Sequence, residues 1–270
     1  MNTTAVHQAY NDVVATHYDL DPQGVIGRAL DLGIGQMKAE GLLTDRDLHV
    51  LDIGMGTGLF LEKLQQASEG RIIPFGIDLA ESMLEVARRR LPDLDAVAGD
   101  ASKLDAYFKD REFDCVCTHF VTGFVSMRTL APQIAGKLLP GGCWSLVGGT
   151  KAAYPALQAK GDSRFLRWYT GAGSRRMDDT VLNPADAGEV AEVMEANGFE
   201  VLRSETFRPT LNFENFDGFM EFAYHGGWLT PLIESMGLHR AGAAKRWLLN
   251  RLAFPIQDSH DIVAVLGRKR

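Results

Sequence analysis

Three glycines, Gly54, Gly56 and Gly58, alternate along VLDIGMGTGLF (residues 50–60), and the apolar run before them carries Asp52. Glycine permits a sharp turn and lets a ligand come close to the backbone. Where a strand precedes such a loop and a helix follows, the first amides of the helix are free to meet a carboxylate or phosphate. The dinucleotide fingerprint has its third glycine one place later, where this chain has Leu59, so the spacing disfavours NAD. Asp78 follows IIPFGI, and Asp100 follows AVAG. A carboxylate at the first place can accept hydrogen bonds from the two vicinal hydroxyls of a ribose. One at the second suits the exocyclic amine of adenine. Each aspartate alone reads equally as a helix cap. All three at the ends of successive strands mark the place where open α/β sheets bind ligands.

Hydropathy supplies the elements that such a site requires. His49–Ile53, Arg71–Asp78, Ala96–Gly99, Phe113–Phe120 and Cys143–Gly148 read as strands. Leu59–Gln66, Ser82–Arg90 and Thr129–Leu139 read as helices, the last stopped by Pro140-Gly141-Gly142. This alternation predicts an α/β fold, a mostly parallel doubly wound sheet with helices on both faces. A helix at Asp186–Asn197, a strand at Phe199–Phe207, a helical insertion at Asn212–Asn250 and a last strand at Asp261–Gly267 follow. The chain divides into an N-terminal helical lid (1–45), an α/β core (46–150), an irregular insertion (151–183) and a C-terminal part of the fold (184–270). The last part carries a helical cap at about 208–250. A length of 270 residues suits one large domain with an appended cap.

Lys and Arg number 28 against 35 Asp and Glu, a net charge of −7. That balance argues against a nucleic-acid partner, whose phosphates demand cations. Three cysteines without a spaced framework read as reduced core thiols. There is no basic start followed by an apolar run, and no stretch of the ~18 apolar residues that a membrane span needs. The expectation is a soluble cytoplasmic protein, monomer or homodimer, with no membrane partner and no metal.

Taken together, these stretches resemble the class I S-adenosylmethionine (SAM)-dependent methyltransferases. LDIGMGTG is similar to the first motif of that family, GIDLAESMLEVAR to the second, AGDASKL to the third and FDCVCTHF to the fourth. LLPGGCWSLV is similar to the passage into the fifth strand. The resemblance covers residues 45–150 and implies a seven-stranded, Rossmann-like sheet with SAM as cofactor. It implies that Gly54, Gly56 and Gly58 face the methionine moiety and that Asp52 lies near its amine. It places Asp78 on the ribose, Ser82 and Met83 beside the adenine, and Asp100 and Ala101 at the adenine edge. Thr118-His119-Phe120, after strand four, would face the reacting methyl group, with Thr118 counted among the cofactor contacts. The segment from Asn11 to Asp19 is similar to a family lid in which a Tyr-Asp pair recurs; here Asn11 replaces the first tyrosine. Tyr18 is the candidate for the mouth of the site.

Methyl transfer is an in-line displacement at a sulfonium-activated carbon, so the enzyme chiefly aligns the nucleophile and excludes water. A base is needed only when the acceptor must lose a proton. His119 has the pKa class for that work; its other reading is a structural histidine at a strand end. Seven aromatic residues fall between Phe207 and Trp228, and Phe213, Phe216, Phe219 and Phe222 recur every third place as one stripe of a cap helix. Tyr224, His225 and Trp228 follow as candidates to line the pocket, where aromatic faces attract a sulfonium. Arg164, Arg167, Arg175 and Arg176, around Trp168 and Tyr169, could grip an anion or simply be solvated.

The reading that results is methylation of an oxygen or nitrogen of a small apolar or aromatic molecule, in specialised metabolism. Two other readings keep the SAM site. Azetidine-2-carboxylate synthases of this superfamily use SAM as the substrate, cyclising its aminobutyrate arm and expelling methylthioadenosine. The chain could also bind SAM without catalysis.

Overall fold

The computed structural model describes residues 7–161 and 182–270. Seven strands form one sheet: β1 (Leu48–Ile53), β2 (Ile72–Asp78), β3 (Asp95–Ala98), β4 (Phe113–His119), β5 (Leu138–Gly149), β6 (Phe199–Phe207) and β9 (Ile262–Lys269). Their order is β3-β2-β1-β4-β5-β9-β6. The first five run parallel, and β9 lies antiparallel between β5 and β6. The order reverses between β1 and β4, which is where such sheets open a crevice for ligands.

The central strands are apolar on both faces because both are covered. On one face α1 (Val25–Ala39), α2 (Leu59–Ala67) and α3 (Glu81–Arg90) bury Leu30, Phe60 and Leu84 against Val50, Cys115 and Cys117. On the other, α4 (Met127–Lys137) and α6 (Ala187–Ala196) bury Ile134 and Met194 against Val116 and Trp144; α5 is the short helix Pro155–Gly161. The Asp21 carboxylate starts α1 by accepting from the amides of Val25, Ile26 and Gly27 at 2.8, 3.1 and 2.9 Å. The three cysteines are free and buried. Among the described residues no helix is long and apolar enough to cross a membrane.

Three features differ from the sequence reading. Strand β5 begins at Leu138, so Pro140-Gly141-Gly142 lie inside it rather than in a turn before it. Helix α1 belongs to the sheet layer, which leaves the lid as the turns from Tyr10 to Leu20. The cap is bracketed by a two-stranded antiparallel ribbon of β7 (Thr210–Phe213) and β8 (Ile256–Ser259). Between them stand α7 (Phe216–Met220), a π-turn (Glu221–His225), α8 (Thr230–Met236) and α9 (Ala243–Ala253). The four phenylalanines therefore occupy a strand, a helix and a turn instead of one helical stripe, although all are buried.

Three lid residues hold it down. Asn11 Oδ1 accepts from the amide of Ser82 at 3.0 Å, so the residue that replaces tyrosine caps α3. The Tyr10 hydroxyl donates to the Gly227 carbonyl of the cap at 3.0 Å. Asp19 accepts from the Thr57 hydroxyl and from the Arg90 guanidinium, each at 2.6 Å.

Candidate functional site

After β1 the chain turns through Gly54, Gly56 and Gly58 at φ values of 67°, 56° and 75°. A Cβ on Gly54 would lie 2.7 Å from Val121 Cγ2, so the turn admits no side chain there. The amides of Gly54 and Met55 donate to the Ile77 carbonyl at 2.7 and 3.1 Å, which ties the loop to the end of β2. Asp78, at that end, accepts from the amides of Gly56 and Ala80, both at 2.8 Å. Burial raises its carboxyl above the usual range, against the pull of those two amides.

Asp52 is 2% exposed, and its Oδ1 has no hydrogen-bond partner. Burial, with the Asp78 charge beside it, holds its carboxyl well above the usual range. An orphaned buried acceptor costs about 1–3 kcal/mol. Asp52, Gly54, Thr57, Tyr18, His119 and Phe120 line a small chamber of about 280 Å³. A cationic donor in that chamber would relieve the Asp52 oxygen. The residues fit SAM on this ground: a carboxylate for the ammonium of its methionine moiety, a glycine turn that admits close approach, and Asp78 where a ribose would lie. Among the described residues no group of acidic, histidine or cysteine side chains could hold a metal.

A second, larger cleft of about 780 Å³ opens beside the first, with Phe120, Phe124, Tyr154, Trp228 and Leu229 among its walls. Tyr18 and Phe120 line both spaces. Phe120 and Tyr154 have φ values of 57° and 60°. Bulky residues are rarely held in that left-handed region, and such strain gathers at functional sites. The Tyr154 hydroxyl lies 2.8 Å from His260 Nδ1. Burial pulls His260 down to about 3, which keeps it neutral, and pushes Tyr154 well above its ordinary value. Trp228 stacks on Phe222 (5.4 Å, 12°) and meets Phe120 and His260 edge-on at 4.8 and 4.7 Å. Among the described residues lining this cleft, Lys151 is the one that carries a charge, and it is exposed.

The residues expected from the sequence divide accordingly. Asp52, Gly54, Tyr18 and His119 come together at the chamber, and Trp228 stands in the cleft. His119 is not suited to general-base work. It is buried, it packs on the Phe60 ring at 4.0 Å, its Nε2 lies 3.1 Å from Ser145 Oγ, and burial pulls its pKa down to about 3. So weak a base gives little driving force for proton abstraction. Thr118 points its side chain to the opposite face, where its hydroxyl accepts from the Trp144 indole at 2.8 Å, so that side chain does not line the chamber. Tyr224 turns into the cap, donating to Glu234 at 2.7 Å and stacking on His239. His225 Nδ1 sits 3.1 Å from Glu221, and neither Tyr224 nor His225 lines the cleft.

The remaining adenine-side residues have structural partners. Met83 is buried under the lid with Val14, Ala15 and Ala80. Ala101 packs in the core, and Asp100 caps the following turn through the amide and hydroxyl of Ser102 at 2.9 and 2.7 Å. The arginine group with Trp168 and Tyr169 lies outside the described residues. Tyr154, His260, Phe124 and Asn183 line the cleft without having been marked by any sequence pattern.

Residues 50–142 match the family model described as a methyltransferase domain. A demethylmenaquinone methyltransferase of Thermotoga maritima is 27% identical over 205 residues, covering 70% of this chain and 86% of the relative. One of Chlorobaculum tepidum is 28% identical over 141 residues; the match takes in 49% of this chain and about half, 54%, of that relative. The solved YcgJ protein of Bacillus subtilis shares the fold, with a TM-score of 0.57 at 19% identity over 89% of this chain and 99% of that one. Sheet order and matched domain agree, and the chain is an enzyme of the SAM-dependent methyltransferase class.

Proposed function

We propose that the protein transfers a methyl group from SAM to an oxygen or nitrogen of a small apolar or aromatic molecule of specialised metabolism, held in the cleft under the cap. The observation that carries this reading is the pair of shared walls. Tyr18 and Phe120 face both the chamber at Asp52 and the cleft at Trp228. Ligands in the two spaces would meet there.

Bound SAM supplies a methyl group on a positively charged sulfur. The chain supplies alignment and dryness. Trp228, Phe120 and Phe124 offer flat apolar faces to an acceptor. Tyr154 and His260 offer hydrogen bonds from a neutral pair. With His260 pulled down to about 3, the cleft holds no strong base among the described residues that line it. It therefore suits acceptors that react without one, such as a neutral amine or an acidic phenol. The test incubates purified protein with SAM alone, and then with neutral amines, phenols and demethylmenaquinone, the compound in the names of the curated relatives. S-adenosylhomocysteine that forms only with an amine or phenol supports the proposal. Transfer to a carbon of demethylmenaquinone overturns the choice of target atom. Methylthioadenosine and azetidine-2-carboxylate from SAM alone would replace methyl transfer by cyclisation.

A further inference from the structure

Strands β1 and β4 lie side by side, with Asp52 opposite Cys117. Side chains alternate along a strand, so Cys115, Cys117 and His119 share one face of β4. That face is the one covered by α1 and α2. Asp52 belongs to it too: burial raises the Cys117 thiol, and the Asp52 charge adds to the rise. His119 thus stands on the same side as Asp52, one strand over and two residues further on, and both line the small chamber.

Two polar atoms of residues that line the chamber are buried without a partner, Asp52 Oδ1 and His119 Nδ1. The other ring nitrogen of His119 is taken up by Ser145 Oγ at 3.1 Å. The Phe60 ring, at 4.0 Å and 71°, fixes the imidazole plane. Helix α1 closes the space behind it: a Cβ on Gly33 would lie 3.1 Å from Val147 Cγ2 and 3.8 Å from His119 Nε2. Burial keeps the imidazole neutral. In the tautomer whose Nε2–H donates to Ser145 Oγ, Nδ1 is an acceptor. One anionic and one neutral acceptor on the walls of one small chamber match a primary ammonium, which brings three N–H donors.

We infer that His119 is a binding residue for the aminobutyrate arm of SAM, its Nδ1 accepting a hydrogen bond from the α-ammonium whose charge Asp52 balances. This rests on the reading of the chamber as part of a SAM site. It gives the histidine a positioning part in place of a proton-transfer part. Holding the ammonium at two points sets the direction in which the arm leaves the sulfur, and so the direction of the methyl group towards Tyr18 and Phe120.

Calorimetry with two ligands tests it. S-adenosylhomocysteine carries the arm; methylthioadenosine has the same nucleoside without it. His119→Phe keeps a ring against Phe60 and removes both nitrogens. Its Kd for S-adenosylhomocysteine should rise about tenfold or more, as expected for a lost hydrogen bond to a charged group. Its Kd for methylthioadenosine should stay within about twofold, since the arm that His119 would hold is missing. His119→Asn puts an amide oxygen near the place of Nδ1 and should recover most of the lost affinity. Equal weakening of both ligands in His119→Phe, or no weakening of S-adenosylhomocysteine, overturns the inference while leaving the SAM site standing. If the unaltered protein binds neither ligand, the reading of the chamber falls with it.

Discussion

Asp52→Asn should make the ligand-free protein more stable and its cofactor site worse. The carboxylate is 2% exposed with Oδ1 unpaired, and burial beside Asp78 raises its pKa well above the ordinary value. A carboxyl with a raised folded-state pKa costs stability once pH exceeds the unfolded value, and the cost is fully developed above the folded value. Replacing it by a neutral isostere should regain roughly 1–3 kcal/mol at pH 8. For a chain of this size that is on the order of 2–4 °C in Tm per kcal/mol. The gain should shrink as pH falls and the native carboxyl protonates. With S-adenosylhomocysteine at about 100 times the Kd, the unaltered protein gains about 2.7 kcal/mol; a variant binding ~30-fold more weakly gains roughly 0.9. The advantage of the variant should therefore shrink by about 1.8 kcal/mol on ligand addition. Thermal melts at pH 8 and pH 5.5, with and without ligand, measure all four quantities. A lower Tm for the ligand-free variant at pH 8 would refute the reasoning, because it would mean that the carboxylate is already well paired.

Asp78→Ala should raise the calorimetric Kd for S-adenosylhomocysteine about 30- to 150-fold, since it removes a charged acceptor for the ribose and also frees the amides of Gly56 and Ala80; unchanged affinity would take Asp78 out of the site. Trp228→Ala should lower kcat/KM for the acceptor by about tenfold or more while leaving nucleoside affinity intact, whereas Tyr224→Phe should leave turnover unchanged because that hydroxyl is spent on Glu234; the opposite pattern in steady-state kinetics would exchange their roles. Acid should destabilise the fold through His119 and His260, both lowered by burial to about 3. Their stability contribution is present above the unfolded value of about 6.5 and is lost as pH falls from there towards 3, about 2 kcal/mol for each by pH 5. The raised Asp52 slopes the other way, so the comparison belongs in the Asp52→Asn background. There, a His119→Asn/His260→Asn double variant should show a flatter pH dependence of Tm, and an equally steep one would count against burial as the cause.

The half of the candidate site around Asp52 is legible in the sequence because its parts are close together and each sits where a strand ends. Asp52, the glycine turn and Asp78 fall within 27 residues, on two neighbouring parallel strands. Misreadings within that half have simple causes. Pro140 and Gly141 read as a stop, yet they occupy the exposed start of β5, where a missing N–H is tolerated. The sequence reading puts both Thr118 and His119 at the site, although adjacent residues of a strand face opposite ways. Parity alone could have removed one of them. That Trp144 would use the threonine hydroxyl, and that Phe60 and α1 would wall in the histidine, depends on packing that no local pattern records.

The cleft half of the candidate site is written in contacts between distant residues. Tyr154 and His260 are 106 positions apart, and neither lies in a periodic run. The cap shows why counting by threes and fours fails there. Phe213 lies on a strand, Phe216 and Phe219 on a helix, and Phe222 in a π-turn that adds a residue to the helical round. Beyond that extra residue the helical face is no longer the one extrapolated from Phe216. Tyr224 rotates towards Glu234 and His239, where its hydroxyl finds a partner. Trp228, past Gly227 at φ 83°, swings back onto Phe222, Phe120 and His260. A Cβ on Gly227 would lie 2.9 Å from the Tyr10 hydroxyl, so the same glycine that redirects the chain also receives the lid. Lid, cap and cleft wall therefore meet at one backbone position, and the turn that orients Trp228 towards the cleft is the turn that the lid latches.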